Sequence, residues 1–351
     1  MPEDFNGSGV IANKKILKSQ NVIIDAIQKQ KVAIIALLVV MAIITFIQPN
    51  FFTWGNMFDI VRVVSIKGIM AIGMTKVLLT GGIDLSIGST FALSGVVAAS
   101  LSYGAQSLFV TSNMVTLPFF GVIIAALGVG ALIGLINGLV ITYMRIEPFI
   151  ATLAMMSFAR GLTYLYSGGF PINFTPMPPS FAWIGQGGIG FLPVPSLFFI
   201  LTILVGAYLL RYTAYGRSLY AIGGNRESAR LSGIHVKKNI CLTYVLMGVL
   251  AGFSGAIMTS RVASASPIAG MGYEMDVIAG VVIGGTLQSG GRGSIFGTVI
   301  GVFIFGVIEN GLNIIGIPTY YKLIIKGLII VIAIGSKAIV PKLVKKGGKK
   351  I

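Results

Sequence analysis

Side chains able to carry chemistry are scarce and scattered: one histidine, His235, one cysteine, Cys241, and ten carboxylates in 351 residues. A lone Cys excludes an intrachain disulfide and any cysteine-rich metal site. His235 lies close to Lys237 and Lys238 and has the setting of a solvated side chain, not of a metal ligand. An enzyme needs a nucleophile, an acid or a metal set gathered in one place, and these residues supply none. The Gly-rich phosphate cradle that ends in Lys-Ser or Lys-Thr is missing as well. No catalytic residue, metal or cofactor site is therefore expected, and no nucleotide site is legible in this chain.

The elements that would position the few polar groups are membrane helices. Hydrophobic residues make up 55% of the chain and charged residues 10%, against about 25% charged in globular domains. Apolar runs recur at 32–48, 58–79, 87–101, 117–144, 148–167, 192–210, 240–260, 273–289, 295–313 and 320–340. A run of about 20 residues crosses about 30 Å of hydrocarbon. The fold class is an all-α membrane protein of about ten transmembrane helices, with 87–101 and 273–289 short enough to be re-entrant.

Basic residues set the orientation. The segments 49–57, 102–116, 168–191 and 314–319 hold no Lys or Arg, whereas 19 of the 26 basic residues fall on the opposite face. By the positive-inside rule that face is cytoplasmic, and an even number of crossings puts both termini there. The net charge of +16 follows topology and is not interleaved with aromatic residues, so phospholipid headgroups account for it and nucleic acid is not a partner. Residues 1–31 read as a cytoplasmic tail, 32–340 as the membrane domain and 341–351 as a basic cytoplasmic tail. Residues 1–31 contain acids and several Lys without an apolar core, unlike a cleaved signal peptide.

One long charged stretch, 211–239, interrupts the apolar pattern between the sixth and seventh runs. Asn225 is a good N-cap, Glu227 sits in the first turn, Glu227 and Arg230 are spaced to pair, and Gly233 can end the helix. The expectation is a helix of about two turns, tethered by Gly223-Gly224. So short a helix is unstable alone in water and must pack on its own bundle or on a second protein. Elsewhere, Gly130, Gly134 and Gly138 are spaced four apart, the pattern of close helix approach in membranes.

A family resemblance rests on several ordered segments: Pro49 to Thr53, Gly81-Gly82-Ile83-Asp84-Leu85-Ser86-Ile87-Gly88-Ser89, Pro148 to Leu153, Gly216 to Ile234, Gly272-Tyr273-Glu274-Met275-Asp276, Gly284-Gly285-Thr286 and Gly290 to Gly293. Through these the chain resembles the membrane permease subunit of bacterial ATP-binding-cassette importers for monosaccharides, closest to the ribose type, over nearly its whole length. The resemblance implies import by alternating access in the bacterial cytoplasmic membrane. The implied partners are a second permease copy, two cytoplasmic ATPase domains that bind the ATP, and an extracytoplasmic sugar-binding protein. It also makes the segment after the sixth helix a coupling helix, with Arg217, Tyr220, Gly224, Asn225, Glu227, Arg230 and Leu231 as ATPase-docking residues.

Polar residues inside apolar runs are candidates for the path or for binding-protein contact, because charge in a bilayer is costly. Asp84 either serves the pathway or caps the third helix after a Gly81-Gly82 turn. Glu274 and Asp276 are expected to open the eighth helix at its outer end, as caps, as sugar contacts or as contacts to the binding protein. Arg160, Asn137, Glu309, Asn310, Asn313 and Lys322 are either pathway groups or pairs inside the bundle. Gly81-Gly82 and Gly284-Gly285 form a weak internal echo of the kind left by duplicated halves. Two other readings remain at this point: an ion-coupled secondary transporter, and a permease for another small solute such as a different pentose or hexose, an autoinducer sugar or an amino acid.

Overall fold

The computed structural model describes residues 31–102, 105–106, 116–174, 177–190, 192–329 and 331–332. The expected tails, most of the loop 102–116 and the far end of the tenth run lie outside these residues. Helix α1 covers Lys31–Ile47 and α2 covers Trp54–Leu79, separated by a 3-10 turn at Pro49–Phe52. Then come α3 (Ile87–Leu101), α4 (Phe119–Tyr143), α5 (Pro148–Ser167), the short α6 (Pro179–Gln186) and α7 (Val194–Tyr212). Two small helices, α8 (Ala214–Gly224) and α9 (Arg226–Leu231), precede α10 (Val236–Val262), α11 (Tyr273–Ile283), α12 (Ile295–Ile314) and a last helical stretch, α13, at 319–329.

Prolines and glycines punctuate these elements. Pro148, Pro179 and Pro195 occupy first-turn positions, where the missing N–H costs nothing, and Gly168 ends α5 in the left-handed region. Helices α4, α7, α10 and α12 are by themselves long and apolar enough to cross a membrane. The bundle is apolar on its outside: Phe120, Ile124 and Leu132 of α4 and Leu201, Leu204 and Val205 of α7 are exposed. Its interior holds polar links, including Thr75 Oγ1 to Thr298 Oγ1 at 2.6 Å between α2 and α12. Lipid is as apolar as leucine, so helices in it are held by close packing and such polar links.

Helix α10 is the mast of the bundle. Its 27 residues span about 40 Å, and α2, α3, α4 and α6 pack on it. Against α4 the contact is backbone on backbone. A Cβ at Gly130 would lie 2.1 Å from the Gly248 carbonyl, one at Gly134 2.2 Å from that of Tyr244, and one at Gly138 2.8 Å from Cys241 Cα. The glycine face read from the sequence is this seam.

Short strands depart from the purely helical expectation. β1 (Ala105–Gln106), β2 (Ile172–Phe174) and β5 (Ser264–Ala265) form a three-stranded antiparallel sheet, and β3 (Gly188–Ile189) pairs with β4 (Leu192–Pro193). They lie with α6 near the C-terminal end of α10, where Ser260 Oγ receives the Gly185 N–H at 3.0 Å. Helices α8 and α9 lead into the opposite, N-terminal end of α10.

Of the helices in the third and eighth apolar runs, both are too short to cross the bilayer unaided. α3 has 15 residues, about 22 Å, and α11 has 11, about 16 Å. Residues 82–86 lead into α3 without helix, and 263–272 lead into α11. The two starts adjoin: a Cβ on Gly88 would lie 2.3 Å from the Gly270 carbonyl, and the rings of Phe91 and Tyr273 are 5.3 Å apart. The eighth run is thus helical only to Ile283; Gly284 to Gly293 is a turn-rich loop because Gly285, Gly290 and Gly291 adopt positive φ.

Replacing Gly134 with Leu is expected to open the α4–α10 seam at a cost of about 1–3 kcal/mol or more, seen as a lower unfolding temperature in detergent. Gly128→Leu, on the same helix with nothing within 4 Å of its Cβ position, is expected to leave it unchanged.

Candidate functional site

The densest polar constellation lies inside the membrane domain. Lys67 of α2 donates from Nζ to Asp276 Oδ2 of α11 at 2.6 Å and to Glu309 Oε2 of α12. Lys326 of α13 donates to the same two carboxylates, to Asp276 Oδ2 at 3.0 Å and Glu309 Oε1 at 3.1 Å. The Lys67 ammonium also stands 4.6 Å from the Tyr273 ring centre. Two cations and two anions from four helices thus form a neutral cage, with Asp276 only 6% exposed. Bringing them together offsets the desolvation that any one of them would suffer alone.

This corrects the reading of Asp276. It does not open a helix at an exposed outer end; it sits in the first turn of a helix that begins inside the bundle, and the cage consumes its carboxylate. Glu274 is half-buried against Gly88, with the Glu274 Oε2 2.7 Å from where a Cβ on that glycine would be. Lys67 and Lys326 were legible as lysines in apolar surroundings, but their shared partners were not.

The other polar candidates are held in pairs. Asp84, 2% exposed, accepts from the N–H and hydroxyl of Ser86 at 2.9 and 2.6 Å. It therefore forms a two-residue turn before α3 and does not cap the helix itself, where Ser86 holds the N-cap position. Asn137 of α4, equally buried, donates to Ser86 Oγ at 2.9 Å. Arg160 of α5 donates to the carbonyls of Pro267 and Ala269 at 2.5 and 2.9 Å. Asn310 exchanges hydrogen bonds with Asn56 at 3.1 and 2.8 Å, and Asn313 accepts from Lys322.

At the other end of the molecule the α8–α9 pair is built as its sequence requires. Thr213 accepts the Gly216 N–H to cap α8, and Asn225 accepts the Ser228 N–H at 2.8 Å to cap α9. Glu227 and Arg230 pair at 2.6 Å, and the Arg230 hydrogen bonds hold the Glu227 carboxyl below its ordinary range. Gly233, at φ +81°, ends the turn that follows. Arg217, Gly224, Asn225, Glu227, Arg230 and Leu231 are exposed, Leu231 by 74%.

Two details differ from expectation. Gly223-Gly224 is the last turn of α8 and no loose tether: a Cβ on Gly223 would lie 1.8 Å from the Leu79 carbonyl. Tyr220 faces the bundle and spends its hydroxyl on the Gly293 carbonyl at 3.0 Å, which removes it from the exposed face. A Gly so close to an unrelated backbone was not recognisable from the sequence.

The fold is a helical bundle with several helices able to cross a membrane, a neutral charge cage inside it and a capped helix pair at one end, and its class is that of membrane permease subunits. Residues 56–334 match the family model described as "Branched-chain amino acid transport system / permease component", and the chain belongs to this family. It is 44% identical over 304 residues to the ribose import permease protein of Escherichia coli strain K12, covering 86% of this chain and 91% of that protein. The ribose import permease protein of Bacillus subtilis strain 168 is 40% identical over 310 residues, 88% and 93% of the two chains. The galactose/methyl galactoside import permease protein of E. coli K12 is 38% identical over 309 residues, 86% and 91%. No solved structure matches the chain.

Breaking the cage from one side is expected to be worse than removing a neutral pair from it. Lys67→Met should lower stability by about 3–5 kcal/mol, and the double variant Lys67→Met with Asp276→Asn should recover part of that loss, as read by unfolding temperature in detergent.

Proposed function

We propose that this chain is the transmembrane subunit of an ATP-binding-cassette importer that moves a monosaccharide, ribose foremost, into the cell across the bacterial cytoplasmic membrane. The observation that carries the reading is identity of 40–44% over 86–88% of the chain to ribose import permeases of two bacteria. The family description names branched-chain amino acids, but the relatives just given carry sugars in their names. The permease has no catalytic role in this reading; ATP is bound and hydrolysed by partner subunits.

In the working assembly two copies of this chain sit side by side, two ATPase domains attach at the cytoplasmic side and a sugar-binding protein at the other. The basic residues gathered on one face support cytoplasmic termini and put α8 and α9 on the cytoplasmic side in this reading, where the ATPase docks. Arg217, Gly224, Asn225, Glu227, Arg230 and Leu231 form the contact, and ATP-driven closure moves it. The permease pair then opens its central path outward or inward. Asp84, Asn137, Arg160, Asp276, Asn310 and Asn313 act by holding helices in register, since each already has a protein partner. Selectivity rests mainly with the binding protein.

Replacing Asn225 and Arg230 together with Glu is expected to abolish ATPase co-purification and ATP-driven sugar uptake while leaving the bundle folded, with only the small fall in unfolding temperature that losing the α9 cap and one exposed ion pair brings. Unchanged uptake would show the coupling assignment to be wrong. Proteoliposomes holding this chain alone should carry no ribose; uptake there, driven by an ion gradient, would instead establish a secondary transporter.

A further inference from the structure

One lysine of α2 is left out of every pairing described so far. Lys76 is only 4% exposed, and among the described residues neither a carboxylate nor a hydrogen-bond acceptor meets its ammonium. It lines a groove of roughly 300 Å³ whose other walls are apolar, chiefly Leu127 of α4, Leu201, Val205 and Leu209 of α7, and Leu246 and Phe253 of α10. The groove exists because α7 packs chiefly on α2 while α4 packs chiefly on α10, leaving a cleft that the exposed side chains of Leu201 and Val205 open toward lipid.

We propose that this groove holds one anionic phospholipid, its headgroup phosphate against the Lys76 ammonium and an acyl chain along the apolar wall. A buried cation without a counter-ion is costly unless its flexible stem reaches polar surroundings or an anion comes to it, and an intramembrane charge points to a partner by default. The geometry fits a lipid. Lys76 stands three residues from the end of α2, at the end of the bundle where Leu79 meets Gly223 of α8, so the cation is near a bilayer surface. From Leu209 to Leu201 the wall runs about 12 Å inward along α7, parallel to the way an acyl chain lies. Basic pockets between helices on the cytoplasmic side suit anionic headgroups; a neutral lipid supplies no net charge, and a sugar has no use for the apolar wall. The leaflet that supplies the lipid follows from the topology proposed above, whereas retention of the lipid does not depend on it.

The test compares the full chain with Lys76→Met and Val205→Trp, each reconstituted in phosphatidylcholine bilayers with and without phosphatidylglycerol, then examined by native mass spectrometry and thermal unfolding. The wild-type chain should retain one phosphatidylglycerol per protomer and gain stability from it. Lys76→Met should weaken retention roughly fivefold, and Val205→Trp, which keeps the charge but fills a groove position that is already exposed, should do the same. Equal retention by wild type and both variants, or equal competition by phosphatidylcholine, would overturn the proposal. So would disulfide-linked dimers of Val205→Cys in a Cys241→Ser background, which would make the groove a contact between copies.

Discussion

Inside a bilayer every backbone N–H and C=O released by a helix break must find a partner in the protein, because lipid offers none. This chain breaks its helices before α3 and before α11, and several of its buried polar groups answer that demand. The Ile83 carbonyl takes the Tyr244 hydroxyl at 3.0 Å, and the Asp84 carboxylate gathers the Ser86 N–H and hydroxyl. On the other side, Arg160 holds the carbonyls of Pro267 and Ala269. These polar groups are supports for two irregular segments, and the transport reading inherits part of its internal surfaces from them.

The cage around Asp276 extends the same logic from dipoles to charges. α11 is too short to be fixed by its own length, and the cage ties its first turn to α2, α12 and α13 at once. A rigid α11 on α2 and α12 can only move as part of a larger body. Movement between bodies then falls to the looser boundaries, such as the cleft between α4 and α7.

Much of the architecture was legible because lipid imposes strong rules. Apolar runs located most helices, and Asn225, Glu227, Arg230 and Gly233 specified α9 nearly residue by residue, since caps and i,i+3 pairs are local. The glycine spacing in α4 revealed its packing face for the same reason. What stayed hidden was long-range. Lys67 reaches Asp276 across 209 positions of sequence, and no local pattern says that the two meet. Asp276 was assigned to an outer end because an apolar run does not announce where its helix begins; here the start is set by Gly272 at φ +81° and by the Gly88 backbone crossing beside Gly270.

The faint echo between Gly81-Gly82 and Gly284-Gly285 acquires a physical meaning in the fold, although not as matching halves. Gly81 turns the chain after α2, and Gly284-Gly285 turn it after α11. The loop that follows brings Gly290 and Gly291 back to the first turn: the Gly291 N–H donates to the Leu79 carbonyl at 3.0 Å, and a Cβ on Gly290 would lie 2.9 Å from Gly81 N. Gly223, at the end of α8, enters the same point, with room for no side chain between Leu79 and Gly291. Three segments far apart in sequence thus touch backbone to backbone, and substitution of any one would hold the others apart. Packed matter at this density transmits displacement instead of absorbing it. A shift imposed on α8 and α9 therefore reaches the end of α2 and the loop after α11 together, and through Lys67 and Asp276 those two helices are already one body.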